Sequence, residues 1–267
     1  MIVKNVFVKI EELTKIDRDN VRDVFKKYTY QYGSNERYLV SMVKVLMIFI
    51  YSFINIFKKT PKTRNAEIIF DASIKRLSFS EVYTPIIDLF PNSKWQLLAR
   101  SKDILRYNVI KKCMLLEQKN VIARYITLDT VKTIISIILL RIGAGKSIPL
   151  NHYFLFIQEY LYFEYLMKLV DFKVFVSFRD SSFTPAMYGV LKKHDVTTIT
   201  LQHGFFPKTD PRKNMKYNHY QYLFTFSEVQ SDVFLNVYQS RIEHIKNFGS
   251  PLLNNKIVKL KHKNVFD

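Results

Sequence analysis

From Arg64 onward, short runs of β-branched and aromatic residues alternate with helix-length stretches. Glu67 to Asp71 reads as a short strand, Ser80 to Phe90 as a helix stopped by Pro91, and Trp95 to Ala99 as a second strand. Asn120 to Thr127 is a further strand candidate, and Asp129 can cap a helix from Thr130 to Ile142. Asn151 to Leu169 carries an aromatic stripe at helical spacing, which suits a core better than a base-stacking platform. The clearest unit follows: strand Lys173 to Ser177, a loop, helix Phe183 to Lys193, and strand Val196 to Leu201. Connections this short predict a βαβ unit with adjacent parallel strands. Tyr220 to Phe226 is another strand. Ser227, with Gln230 three residues later, predicts a capping box on a helix to Tyr238. A last strand, Ile242 to Phe248, ends at Gly249-Ser250-Pro251. The succession predicts an α/β fold, a Rossmann-like parallel sheet flanked by helices, over residues 64–254.

Residues 1–63 form a mainly helical N-terminal segment in this reading. Charges interrupt each apolar run of its first ten residues, unlike a signal peptide. Its most apolar helix is 43–57, whose uncharged part, Val45 to Phe57, has 13 residues. That is short of the ~20 needed to cross a bilayer. Core packing and an interfacial position both stay open, because Lys44, Lys58, Lys59, Lys62 and Arg64 would suit anionic headgroups. Residues 255–267 read as a basic tail or an interdomain linker.

Charge narrows the partners. Lys and Arg number 41 against 23 Asp and Glu, a net charge of +18, which favours a polyanionic partner. An AT-rich coding bias would raise Lys without a functional reason, so the charge counts for less than its size. The basic residues are dispersed, and no zinc-ligand spacing, aromatic sheet signature or compact recognition helix accompanies them, so nucleic acid is disfavoured. The single Cys113 excludes an internal disulfide framework and fits a reducing cytoplasm, with a peripheral position on the inner membrane face left open. Cys113 and the six histidines show no paired spacing, which predicts no metal site. Gly143-Ala144-Gly145-Lys146-Ser147 ends like a phosphate loop, but the required earlier glycine is replaced by Leu140, so this segment reads as a helix end and turn.

Candidate chemistry collects at the ends of two strands. Gln202-His203-Gly204 closes the Val196 to Leu201 strand, and ligands of parallel α/β sheets bind outside the carboxyl strand ends. Imidazole is suited to proton transfer near neutral pH, and glycine permits a sharp turn and close ligand approach. Arg179, Asp180, Ser181 and Ser182 stand at the entrance of the helix after the neighbouring strand, where backbone N–H groups favour anions. Each has a plainer reading: Arg179 as a surface ion pair, the serines as helix caps, Gln202 as a loop hydrogen bond, and His203 as a hydrogen-bonded loop residue.

The ordered set Leu201-Gln202-His203-Gly204, then Leu223 to Ser227 opening a helix, then Asn247-Phe248-Gly249-Ser250-Pro251 resembles bacterial surface-polysaccharide glycosyltransferases of the GT-B type, the capsule and lipopolysaccharide enzymes. Asp71 to Arg76 is similar to that group's first strand end. The resemblance covers about residues 64–254. It implies one GT-B half, the acceptor-side domain, facing a second Rossmann-like domain that binds a nucleotide sugar. It further implies metal-independent glycosyl transfer to an oligosaccharide or lipid-linked glycan acceptor. His203 would be the general base, Gly204 would allow close approach, Gln202 and Arg179 would orient or neutralise anionic groups, and Ser181 and Ser182 would donate hydrogen bonds beside Asp180. No cofactor is implied beyond the nucleotide-sugar co-substrate.

In that group the Gly-x-Pro segment precedes the donor-binding domain, whereas this sequence stops at Asp267. The expectation is therefore a truncated enzyme or one whose donor half lies on another chain, inactive alone. The alternative is a noncatalytic basic accessory protein that binds a glycan or a membrane.

Overall fold

The computed structural model describes residues 65–71, 83–87, 94–99, 113–115, 162–167, 169–178, 185–202, 204–208 and 218–249, together with 43 and 159. Their elements are β1 (Ile68–Asp71), α1 (Thr84–Ile87), β2 (Trp95–Ala99), β3 (Cys113–Leu115), β4 (Val174–Ser177), α2 (Pro185–Lys193), β5 (Thr197–Leu201), β6 (His219–Thr225), α3 (Glu228–Asp232) and β7 (Arg241–Asn247). Between α3 and β7 the chain makes a π-helical turn, Val233–Val237. Residues 162–167 are also helical.

All seven strands join one sheet in the order β3-β2-β1-β4-β5-β6-β7, and every pairing is parallel. Two apolar clusters lie against it. Ile69, Leu98 and Phe175 belong to one, while Phe70, Leu97 and Val176 belong to the other. Neighbouring residues on a strand point to opposite faces, so this division marks the two sides of the sheet. Residues of α2 and of 162–170 join the first cluster, and Tyr83 and Ile87 join the second. Helices thus cover both faces of the central strands, as their apolar runs require, while the edge strand β7 is largely exposed. Interlocking rings fill the first side: Phe163 meets Phe175 edge-on at 5.8 Å, and Phe234 meets Tyr220 at 6.0 Å. Burying each such side chain contributes about 1.5–3 kcal/mol.

The α2 to β5 connection is short because α2 ends in a Schellman turn. Val196 N–H donates to Leu191 O at 2.9 Å and Asp195 N–H to Lys192 O at 3.1 Å. Asp195 takes the left-handed conformation at φ 55, which an aspartate tolerates better than most residues. Leu191 and Val196 then meet in the same core cluster.

The α/β expectation holds for the described residues. β3 is an addition, since its three residues were not read as a strand. The strand candidate 120–127, the helix 130–142, most of the helix 43–57 and the segments 1–63 and 255–267 lie outside the described residues, Val43 apart, which is helical and exposed. Among the described residues no helix is long and apolar enough to cross a membrane.

Far from the carboxyl rim, α2 is tied to β7. Tyr188 donates its hydroxyl to Glu243 Oε1, and Lys192 Nζ donates to the same oxygen at 2.7 Å. The Lys192 hydrogen bond, then that of Tyr188, holds the Glu243 carboxyl below its ordinary range of 4.5. A depressed carboxyl stabilises the fold above its unfolded pKa, and that contribution disappears as pH falls through the folded value. Both partners are more than a third exposed, so screening leaves at most about 1 kcal/mol. Glu243→Gln is expected to lower the urea midpoint slightly at pH 6, with the difference from wild type shrinking as pH falls below the ordinary carboxyl value of 4.5.

Candidate functional site

The sheet order reverses between β1 and β4. β2 and β3 extend from β1 on one side, and β4 to β7 extend on the other. The described helices that follow these two strands, α1 and α2, pack on opposite faces of the sheet, and the carboxyl ends at such a reversal are where parallel sheets hold ligands. Asp71 ends β1 and Ser177 ends β4 in direct register. Both are buried, and Ser177 Oγ donates to Asp71 Oδ2 at 3.4 Å. The Tyr83 hydroxyl donates to Asp71 O at 2.7 Å. On β5, Thr200 pairs with Ser177, and its buried Oγ1 has no hydrogen-bond partner among the described residues. Asp71, Ser177 and Thr200 form one polar row across three strands; the residues before it are apolar on β1 and β4, while β5 also carries Thr197 and Thr198.

The rim continues along β5 and β6. Gln202 follows β5 and is buried, with its backbone N–H on Phe224 O at 2.9 Å. Its side-chain Nε2 donates to Gly204 O at 2.7 Å and to Gln230 Oε1 at 2.6 Å, while Oε1 accepts from Phe226 N at 2.8 Å. Gln230, buried in α3, takes the other end of the loop: its Oε1 accepts from Phe206 N at 2.9 Å and its Nε2 donates to Phe206 O at 3.1 Å. Ser227 caps α3 as expected, accepting from Gln230 N at 3.4 Å. The reciprocal half of the capping box does not form, because the Gln230 amide is engaged by Phe206 and Gln202. Beyond it, the Thr225 and Ser231 hydroxyls lie 2.7 Å apart, and each donates to Asn247 Oδ1, linking the ends of β6 and β7.

No protein-family model, curated protein or solved structure matches the chain.

Of the residues singled out in the sequence, Gln202 and Gly204 lie among those described, and the loop brings them together. Gln202 is placed as a brace: both amide hydrogens are engaged within the protein, and it holds the backbone on either side of position 203. Gly204 is partly exposed, and a Cβ built there meets nothing within 4 Å. Its φ lies outside the left-handed region, where among the described glycines only Gly249, at φ 78, is found. Gly204→Ala is therefore expected to change stability by no more than about 0.5–1 kcal/mol, with a gain as acceptable as a loss. Urea midpoints of the two chains check this.

His203, Arg179, Asp180, Ser181 and Ser182 lie outside the described residues. Their flanks are placed: Ser177 and Phe178 precede one group, and Gln202 and Gly204 bracket His203. β4 and β5 are adjacent and parallel, so both groups follow neighbouring strand ends, as the βαβ reading expected. Among the described residues no group of three or more His, Cys, Asp or Glu gathers as metal ligands. Sequence reasoning gave Ser177 and Thr200 no part in the site and gave Gln230 only a capping role. A polar residue ending an otherwise apolar strand was the available signal for Ser177, whereas Thr200 lies inside the threonine-rich β5, where no such contrast marks it.

Proposed function

We propose that this chain is the acceptor-side α/β unit of a GT-B-type glycosyltransferase, which moves a sugar from a nucleotide-activated donor to a surface polysaccharide or lipid-linked glycan. The donor would bind a second α/β unit facing the carboxyl rim. The observation that carries this reading is the bracing of the loop after β5. Gln202 and Gln230 fix the backbone on both sides of His203, next to the strand-order reversal where parallel sheets bind ligands. Catalysis by a positioned base needs its carrier held still.

In the proposed reaction an acceptor hydroxyl attacks the donor's anomeric carbon while its proton passes to the His203 imidazole. The bond from that carbon to the nucleotide diphosphate breaks, and its electron pair leaves with the phosphate oxygen. Arg179, Ser181 and Ser182 follow the neighbouring strand, where they would meet anionic or hydroxyl groups of substrate. A hydroxyl reaching Thr200 Oγ1 would give that buried atom a partner, which is worth about 1–3 kcal/mol.

The test is deletion of the gene in its source cell, followed by labelling and separation of the surface glycans. Loss or shortening of one glycan, restored by the wild-type chain, is the expected result. An unchanged glycan profile refutes glycosyl transfer.

A further inference from the structure

Thr200 is the exception among the buried polar groups of the sheet's carboxyl half. Thr198, two residues earlier on the same strand and face, has Gln221 Oε1 2.8 Å from its backbone nitrogen and 3.5 Å from its hydroxyl. The Thr200 side chain is as deeply buried, yet neither its hydrogen nor its lone pairs find a partner among the described residues. Valine has the same shape and would fill such a place without the penalty of an orphaned hydroxyl. The polar row that Thr200 shares with Asp71 and Ser177 is also bounded. In the same register Leu98 lies beyond Asp71 on β2 and Leu223 beyond Thr200 on β6, and both are buried. Three adjacent strands make the polar stripe about 10 Å long. It is the last rung before the chain leaves β1 and β4. Ile69 and Phe175, two residues earlier on those strands, give it an apolar floor.

The chemistry of the stripe selects its ligand. A carboxylate accepts hydrogen bonds and cannot donate them, and Ser177 turns its own hydrogen toward Asp71 Oδ2 at 3.4 Å. Toward a ligand the row is therefore rich in acceptors, and the Thr200 hydroxyl can either donate or accept. A phosphate or carboxylate brings only acceptors, and it would stand beside the Asp71 charge in a buried place, where like charges repel most strongly. The net charge of +18 points the whole chain toward anions, but the local sign at this row is the opposite one. Hydroxyl groups donate and accept without charge, and several on one ring can meet adjacent rungs together. We propose that the Asp71, Ser177 and Thr200 row holds an uncharged, hydroxyl-bearing ring of the acceptor, a neutral sugar without carboxylate or phosphate. The proposal rests on the acceptor-site reading of this rim and names the class of sugar that it takes.

The test uses the full chain on an array of bacterial oligosaccharides whose terminal sugars are neutral, carboxylated, phosphorylated or amine-bearing, with wild type and Thr200→Val compared. Wild type is expected to retain neutral termini in preference to charged ones. Thr200→Val should weaken that retention about ten-fold, the loss of one net hydrogen bond, while its urea midpoint is no lower than that of wild type. Retention by Thr200→Val within two-fold of wild type overturns the site. So does a lowered midpoint, which would show that the hydroxyl is satisfied within the protein. A wild-type chain that retains no glycan, or that prefers charged termini, overturns the neutral sugar. Glycan retention needs no donor and no proton transfer. An unchanged surface-glycan profile on gene deletion, together with Thr200-dependent retention, would therefore remove glycosyl transfer and leave the sugar site.

Discussion

A His203→Ala chain is expected to restore no more than about one hundredth of the wild-type transfer rate in deletion-strain extracts supplied with labelled nucleotide sugar. A positioned general base contributes about 10²–10⁴-fold, because an unassisted sugar hydroxyl is a poor nucleophile near neutral pH. Stability should be little affected, since the braces on this loop come from Gln202, Phe206, Pro207 and Lys208. His203→Gln separates two roles. Glutamine can hydrogen-bond the acceptor but cannot take its proton, so it should be as slow as alanine if His203 is the base. A His203→Gln chain near wild-type rate would reduce the histidine to a positioning group, and a His203→Ala chain within three-fold of wild type would remove it from the chemistry.

The strands of this sheet were legible because a fully buried parallel strand leaves a local mark. Val174 to Ser177 and Thr197 to Leu201 are β-branched or aromatic nearly throughout, and they form strands within a residue of the ends read from the sequence. β3 left no such mark: Cys113-Met114-Leu115 is too short to display a period, and none of its residues is β-branched. The site divides in the same way. A polar cluster after an apolar run exposes the location of a rim, so Gln202 and Gly204 could be found. What Gln202 touches depends on Gln230, 28 positions later, and no local pattern encodes a pairing at that separation. The capping box illustrates the limit. Ser227 and Gln230 have the right spacing and half of the motif forms, but the Gln230 side chain finds better partners across the loop.

Gln230→Ala is expected to produce the largest loss of stability of any single change at the rim, about 3 kcal/mol. The substitution removes the partner of Phe206 N–H, of Phe206 O and of one Gln202 amide hydrogen, all in a buried setting. An orphaned buried group costs about 1–3 kcal/mol, and relaxation of the loop toward water keeps the total below the sum. Gln230→Met tests whether polarity or volume matters. Methionine fills much the same space without the amide, so its loss should approach that of alanine; a methionine variant near wild type would mean that packing, not hydrogen bonding, holds the loop. Gln230→Glu should be worse than either, since a carboxylate cannot donate to Phe206 O and would be charged in a buried place. Because Gln202 and Gln230 share a hydrogen bond, the Gln202→Ala and Gln230→Ala losses should fall short of additivity by about 0.5–3 kcal/mol in a double-mutant cycle. The same variants bear on function: at a temperature where Gln230→Ala is still folded, a loosened loop should lower transfer by more than the unfolded fraction explains. Transfer that tracks the folded fraction alone would mean that the brace serves the fold and that the loop needs no fixed geometry.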